Sequence, residues 1–152
     1  MKASSKSLLI GILLVWSLLA TSLAAYYYNE YSTIKKLYDS LTSKTIVVNI
    51  GIDYGNGTLQ WFNSTVLPAG ATVLSALTSV SQVEYIYGEY GAYVTAVNNV
   101  KENIISKREG YSWLWYIYNV TSGNLEMGPV AADKYVLANG DTIVWKYTHW
   151  RF

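Results

Sequence analysis

The sequence predicts an α+β protein in which an apolar N-terminal helix precedes a β-rich domain that contains one further helix. Three observations lead to this prediction. Residues 8–25 are uncharged and apolar or small, and a helix of that length crosses a bilayer core of ~30 Å. Segments of alternating apolar and polar residues, separated by turn residues, fill much of the remaining chain. Aromatic residues make up 15% of the chain, with fifteen tyrosines and six tryptophans, which suits strands.

Residues 1–25 are predicted to form a signal anchor, that is, a transmembrane helix. Lys2 and Lys6 precede the apolar run, and by the positive-inside rule they hold the N-terminus in the cytoplasm. Residues 26–28 are three tyrosines, whose rings favour the headgroup layer and close the span. The expected location is the cell membrane, as a single-pass protein whose C-terminal domain is extracytoplasmic.

Residues 26–44 are predicted to continue the helix as a stalk. Apolar residues recur there at spacings of three and four, as on one face of a helix. They are Tyr27, Tyr31, Ile34, Tyr38 and Leu41.

Two other interpretations of the N-terminus stay open. Ser22-Leu23-Ala24 has the small-x-small pattern of a cleaved secretory signal. A basic head, an apolar helix and a β-rich domain also describe type IV pilin-like filament subunits of archaea, and Lys6-Ser7 would then be the processing junction. The helical continuation of the stalk favours a retained anchor.

Residues 45–152 are predicted to form the folded domain, which begins with a hairpin and a helix. Alternating apolar residues predict strands over 45–54 and 58–66, joined by the turn Gly55-Asn56-Gly57. Thr72 then caps a short helix with one apolar face, which packs on the sheet. That face consists of Val73, Leu74, Leu77 and Val80.

The second half of the domain is predicted to add further strands. Strand pieces over 85–97 are interrupted by two glycines, and the polar stretch 98–110 is expected to be a loop with a short helical or extended piece. The aromatic run 113–118 predicts a strand. Asn139-Gly140-Asp141 is a strong turn signal, and residues 142–147 return as the last strand.

Four segments of this domain resemble one known family. They are Thr-Val-Leu-Ser-Ala-Leu at 72–77, Tyr-Gly-Ala-Tyr-Val at 90–94, Tyr-Ser-Trp-Leu-Trp-Tyr-Ile-Tyr-Asn at 111–119 and Tyr-Val-Leu-Ala-Asn-Gly-Asp-Thr-Ile-Val-Trp-Lys-Tyr-Thr at 135–148. In this order they make residues 45–148 similar to the transcobalamin-like C-terminal domain family. The resemblance implies an exported or surface-attached domain of β-grasp-like fold, a mixed sheet of about five strands crossed by one helix.

The same resemblance raises the question whether this domain binds cobalamin. In the vitamin carriers of that family, this domain closes over cobalamin against a separate helical barrel, and no segment of this sequence supplies that barrel. The family usually places asparagine and then glycine after the aromatic strand, whereas Asn119 is followed here by Val120.

The composition argues against catalysis and against nucleic acid as a partner. A net charge of +1 provides no basic surface for phosphates, and the absence of cysteine excludes a thiolate metal site. His149 is the one histidine and is expected at the surface or a sheet edge. Asp53, Asp133 and Asp141 lie near turns, where aspartates usually accept hydrogen bonds from backbone amides. We expect no enzyme, and no catalytic, cofactor or metal site.

Three sequons in the exported region are candidates for glycosylation. They begin at Asn56, Asn63 and Asn119, and none has proline in its middle position. Together with the tyrosine content and the lack of cysteine, they suit an archaeal-like envelope glycoprotein.

The aromatic residues of the domain are the candidate interaction surface, because strand alternation must send some of these rings to the exterior. Exposed rings are favoured at protein interfaces and can stack on sugars. The candidates are Trp61, Trp113, Trp115, Tyr116, Trp145, Tyr147 and Trp150.

Three functions follow from this organisation. The leading hypothesis is an anchored interaction module, an accessory subunit that docks onto another membrane or envelope protein. The second is a surface filament built by self-association, through the N-terminal helices or by strand addition at an open sheet edge. The third is a domain that binds a small ligand, such as a cobalamin-like molecule or a glycan.

Overall fold

The computed structural model describes residues 5–152, so Lys2, on which the predicted orientation partly rests, lies outside the described residues. The chain divides into two compact units, Met1–Ser43 and Lys44–Phe152.

The described part of the first unit is dominated by one long helix, α1, at Ser5–Thr42. Its 38 residues make it about 57 Å long, nearly twice the ~30 Å of a bilayer core. Among the described residues it is the one helix that is long and apolar enough to cross a membrane. The same helix continues without a break to Thr42, two residues before the end of the predicted stalk.

The second unit contains a six-stranded mixed sheet, here called the main sheet. Its strands are β1 Thr45–Asp53, β2 Leu59–Pro68, β6 Asn103–Ser106, β7 Glu109–Asn119, β8 Asn124–Met127 and β9 Thr142–Arg151. The strand order is β2-β1-β9-β7-β6, with β8 also paired to β7. β1 runs parallel to β9, and the other pairs are antiparallel. The predicted fold class, an apolar helix followed by a mixed-sheet domain with one helix, is confirmed.

A second, smaller sheet differs from the single sheet expected from the sequence. It consists of β3 Val83–Gly88, β4 Gly91–Val97 and β5 Val100–Lys101 in the order β3-β4-β5. The predicted loop over 98–110 therefore contains two short strands, β5 and β6. All four residues of β6 are exposed, so this edge strand has no apolar alternation that could reveal it in the sequence.

Helix α2, at Val73–Val80, begins where the sequence predicts. The Oγ1 atom of Thr72 accepts the N–H of Ser75 at 3.2 Å, and the Oγ atom of Ser75 accepts the N–H of Thr72 at 2.8 Å. This reciprocal capping satisfies two of the N–H groups that a helix start leaves without partners. The apolar side of α2 is buried against the sheets.

One core joins the two sheets and α2. Alternate residues of β1 face it, and the indole rings of Trp113 and Trp145 are the largest side chains that are fully buried there. We call the face of the main sheet that lines this core the inner face, and the opposite one the outer face. The β1 residues on the inner face are Ile46, Val48, Ile50 and Ile52.

Candidate functional site

A groove crosses the outer face of the main sheet, and its floor consists of small or short side chains. The sheet register places Trp61, Gly51, Val144 and Tyr116 in one row across four strands. A Cβ atom built on Gly51 would lie 3.0 Å from the indole ring of Trp61. The glycine therefore allows the ring to lie directly on the sheet, next to Val144, which is only 3% exposed.

The walls of this outer groove are aromatic and apolar, with one cation, Lys146, and one carboxylate, Asp53. Trp61 and Tyr118 are 43% and 44% exposed, and the groove has a volume of about 380 Å³. The ammonium of Lys146 lies 5.3 Å from the centroid of the Tyr116 ring, within reach of a cation–π contact. The remaining lining residues are Leu59, Gly123, Asn124, Leu125 and Thr142.

A second concavity, the inner cavity, lies between the β3–β4 hairpin and the segment 127–132, with a volume of about 320 Å³. The rings of Trp113, Trp115 and Trp145 contribute to its lining, and most of that lining is apolar. A Cβ atom on Gly128 would come 1.9 Å from the Trp115 ring, so this position has room only for glycine.

The tryptophans that line this cavity differ in the hydrogen bonds of their indole N–H groups. Trp113 donates to the carbonyl of Val100 at 2.9 Å, and Trp115 donates to the carbonyl of Val130 at 3.1 Å. The Nε1 atom of Trp145 is buried and has no hydrogen-bond partner among residues 5–152. A buried donor without a partner costs about 1–3 kcal/mol, and Trp145 is one of the residues that line the cavity.

One carboxylate ties the β3–β4 hairpin to the loop that borders the cavity. Asp133 accepts the backbone N–H of Ala92 at 2.8 Å, and Lys134 lies 3.3 Å away. The hydrogen bond from Ala92 is the largest influence and lowers the pKa of Asp133. Desolvation opposes it and Lys134 adds to it, and the net effect holds the pKa below its ordinary value. Gly91 has a φ of +129°, and a Cβ there would overlap Oδ1 of Asp133.

The family model for a domain of unknown function (DUF4430) matches residues 70–149 of this chain. The chain belongs to the DUF4430 family. A crystal structure from Ruminococcus gnavus ATCC 29149, named provisionally as a metal binding protein, is similar to the chain with a TM-score of 0.52 and 20% sequence identity. The similarity covers 70% of this chain and 98% of the other, and it shows the fold alone. No curated protein matches the chain in sequence.

In the structure of this DUF4430 protein, three of the seven aromatic interaction candidates lie in the core and four lie at or near the surface. Trp113, Trp115 and Trp145 are buried, because alternate residues of β7 and β9 face the core. They cannot contact a protein partner from the surface, although they line the inner cavity. The sequence shows which rings alternate on these strands, but not which of the two faces is covered.

The other four candidates are at least partly exposed. Trp61 lines the outer groove, and Tyr116 lies beside it on the outer face, paired with Val144 and in contact with Lys146. Tyr147 packs against Trp113, and its hydroxyl donates to the carbonyl of Lys101 at 2.9 Å. Trp150 donates to Ser112 at 2.9 Å. Of these four rings, Trp61 is the one that lines a concavity on the described part of the outer face.

The aspartates that the sequence places near turns all bind backbone amides. Asp53 accepts the N–H of Gly55 at 3.0 Å, and Asp141 accepts that of Ala138 at 2.8 Å, as Asp133 does for Ala92. His149, exposed as expected, lies 3.0 Å from Glu109. Within residues 5–152 no three His, Cys, Asp or Glu side chains converge as metal ligands would.

Some residues of these sites could not have been found in the sequence. Lys146 and Gly51 lie on strands that pair in parallel although they are far apart in the chain. The inner cavity combines three separate segments and Trp145. No local motif signals either arrangement, because both depend on how distant strands pair.

Proposed function

We propose that this DUF4430 protein is a membrane-anchored, extracytoplasmic and non-catalytic interaction module that docks another membrane or envelope protein in its outer groove. The observation that supports this most directly is the groove itself, a concave row of aromatic and apolar side chains on the sheet face opposite the core. Concave aromatic surfaces with a cation are typical of binding sites rather than of bare solvent-facing sheets.

The chemistry of the groove describes the partner that fits it. Trp61 and Tyr118 offer flat rings that a partner's apolar side chain can cover, and tryptophan and tyrosine are enriched among residues that dominate binding energy. Lys146 lies at the groove, so a carboxylate beside that apolar side chain would gain a charge-assisted contact. Asp53 lies beside Lys146 on the neighbouring strand, so the groove contains both charges, and the partner that fits it is an exported protein segment with an apolar residue next to a polar one.

Detergent extraction and copurification from the native membrane test this docking. A partner present in equal amount with the wild-type chain should be lost from the double variant Trp61→Ser/Tyr118→Ser. Tyr87→Ser, which removes an exposed ring of the second sheet, should retain it. A chain that always runs alone, or a partner that survives the double variant but not the control, would refute the proposed docking.

The extracytoplasmic location can be tested because the chain has no cysteine. Lys107→Cys places a thiol at an exposed turn of the domain, and Lys6→Cys places one at the start of α1. A membrane-impermeant maleimide should label the first variant on intact cells and the second only after permeabilisation. The reverse pattern would place the domain in the cytoplasm.

A second candidate function, capture of a small ligand, is favoured by the unpartnered indole of Trp145. Ligand binding as such agrees with the transcobalamin-like resemblance. The inner cavity, however, has a volume of about 320 Å³, which is at the lower end for ligand sites and suits a small planar molecule with one acceptor. Calorimetry with cobalamin and with simple glycans tests the larger ligands directly, and the absence of heat would exclude them.

The Trp145 donor itself is tested with a matched pair of probes, 2-acetylnaphthalene and 2-ethylnaphthalene, titrated against tryptophan fluorescence. If the ketone accepts the indole N–H, it should bind about fivefold more tightly than its hydrocarbon analogue. Trp145→Phe keeps an aromatic ring but removes the donor, so the difference between the probes should vanish. Equal binding of both probes to the wild type would contradict this candidate.

A further inference from the structure

The stalk portion of α1 has an exposed apolar stripe that takes no part in the proposed docking at the outer groove. Tyr27, Tyr31, Ile34 and Tyr38 follow one another at spacings of four, three and four residues, which aligns them along one side of the helix. Each of them is between 60% and 65% exposed. Leu41 continues the pattern at a spacing of three.

These spacings define a heptad pattern. With Tyr31 and Tyr38 at the a positions, Tyr27 and Ile34 fall at d. Such a repeat is the pattern by which helices pair, because residues recurring every 3.5 positions stay at a common seam. The polar residues Ser32, Thr33 and Lys36 fall on the opposite side.

The charges that flank this seam are complementary for one orientation of a second copy. Glu30 falls at g and Lys35 at e. Five residues place these side chains about 140° apart around the helix, too far for a pair within one chain. In a parallel, in-register pair, g of one helix meets e of the next heptad of the other, so Glu30 faces Lys35 of the second copy twice. An antiparallel pair would not bring these opposite charges together.

The membrane anchor also favours a parallel orientation of two stalks, independently of the charges. α1 runs without interruption from the apolar run into the stalk, so two copies inserted in one membrane have parallel stalks that leave the bilayer at the same residues. Confinement to the membrane also raises the effective concentration of one stalk for another.

We propose that the stalk pairs with the stalk of a second copy of this chain, as a parallel, in-register coiled coil joined along Tyr27, Tyr31, Ile34 and Tyr38. This inference goes beyond the proposed docking and does not depend on the outer groove. The seam is short, and helices of this length are marginal in water without other support. Pairing therefore requires the anchor.

Cysteine crosslinking in membranes tests the pairing, with the full chain and no background thiols. Ile34→Cys places a thiol in the seam, and Lys36→Cys places one on the far side of the same helical turn. Oxidation with copper phenanthroline should convert the first variant to a disulfide-linked dimer and leave the second largely monomeric. Equal crosslinking of the two, or none of Ile34→Cys, would overturn the proposal.

The charge pairs provide a second measurement that does not depend on loss of packing. In the Ile34→Cys background, Glu30→Lys places lysines opposite each other and should slow crosslinking about fivefold. Adding Lys35→Glu exchanges the two signs and should restore the rate. A double exchange that stays as slow as the single variant, or a trimer by light scattering in detergent, would refute the parallel dimer.

Discussion

The carboxylate of Asp133 accepts the backbone N–H of Ala92 at 2.8 Å, across 41 residues of sequence. This contact joins the β3–β4 hairpin to the loop beside the inner cavity, and it favours the ionised carboxylate. Because the pKa of Asp133 is lower in the folded state than its ordinary value of 3.8, the contact stabilises the fold fully above that value. Its contribution is lost as the pH falls through the folded-state pKa.

The first prediction concerns this pH dependence. Asp133→Asn keeps an oxygen acceptor for Ala92 but removes the titrating charge. The Tm of the wild type should therefore fall more steeply than that of the variant below pH 3.8. Differential scanning calorimetry across the acid range measures both curves. Glu89→Gln, at the exposed hairpin tip, controls for the loss of one negative charge, and parallel curves for Asp133→Asn and the wild type would contradict the assignment.

The second prediction concerns Gly128. Its alanine variant must move the buried ring of Trp115, since the added carbon would lie 1.9 Å from that ring. Overpacking of this kind should lower the free energy of unfolding by about 3 kcal/mol. Gly88→Ala is the matched control, because an added carbon there lies 3.9 Å from the carbonyl oxygen of Gly91, an ordinary van der Waals distance. Urea denaturation of both variants decides the question, and equal stabilities would show that the ring is not fixed.

The third prediction concerns Gly51, which lies under the ring of Trp61 on the outer face. Gly51→Val should lift the Trp61 ring from the sheet, since even one added carbon lies 3.0 Å from it. Trp61 is partly exposed and does not belong to the buried core, so we expect the free energy of unfolding to fall by only about 1 kcal/mol. The movement of the ring should also shift the tryptophan emission. That shift should be absent when Trp61→Phe is combined with Gly51→Val. If docking depends on the groove, Gly51→Val should also lose the copurified partner.

Local signals explain which elements the sequence could predict. The capping of α2 by Thr72, the β1–β2 hairpin and the final strand each depend on residues adjacent in the chain. The division into two sheets does not, because β5 has two residues and β6 is exposed throughout. Short or solvent-facing strands contain too few apolar residues to show a period of two.

The candidate sites show the same limit. Strand alternation places Trp113 and Trp115 on one face of β7 and Tyr116 and Tyr118 on the other, and this separation can be predicted from the sequence. It cannot say which face α2 covers, because that depends on how the helix packs after the chain has folded. Trp61 lies in the outer groove only because β2 pairs with β1 in a register that places it opposite Gly51.

The fourth prediction concerns glycosylation of the three sequons. The amide of Asn119 is held on both sides, since its Nδ2 donates to Glu126 at 2.8 Å and its Oδ1 accepts the N–H of Thr121 at 2.8 Å. Asn56 and Asn63 are exposed. If the chain is glycosylated, occupancy should be higher at these two than at Asn119. Intact-glycopeptide mass spectrometry measures each site, and Glu126→Ala should raise occupancy at Asn119. Full occupancy at Asn119 in the wild type would show that these hydrogen bonds do not hinder the modification.

The fifth prediction concerns the mature N-terminus. Ser22-Leu23-Ala24 lies well inside α1, which is helical from Ser5 to Thr42. Peptidases cleave extended backbone, so a cut after Ala24 requires several helical hydrogen bonds to open. A cut after Lys6 would remove the basic residue nearest the span, which by the positive-inside rule helps to orient the anchor. We therefore expect the purified protein to retain the whole of α1. Intact mass and N-terminal sequencing measure this directly. A chain beginning at Ala25 would make the domain a secreted protein without an anchor, and one beginning at Ser7 would favour a pilin-like filament over the anchored pair of stalks.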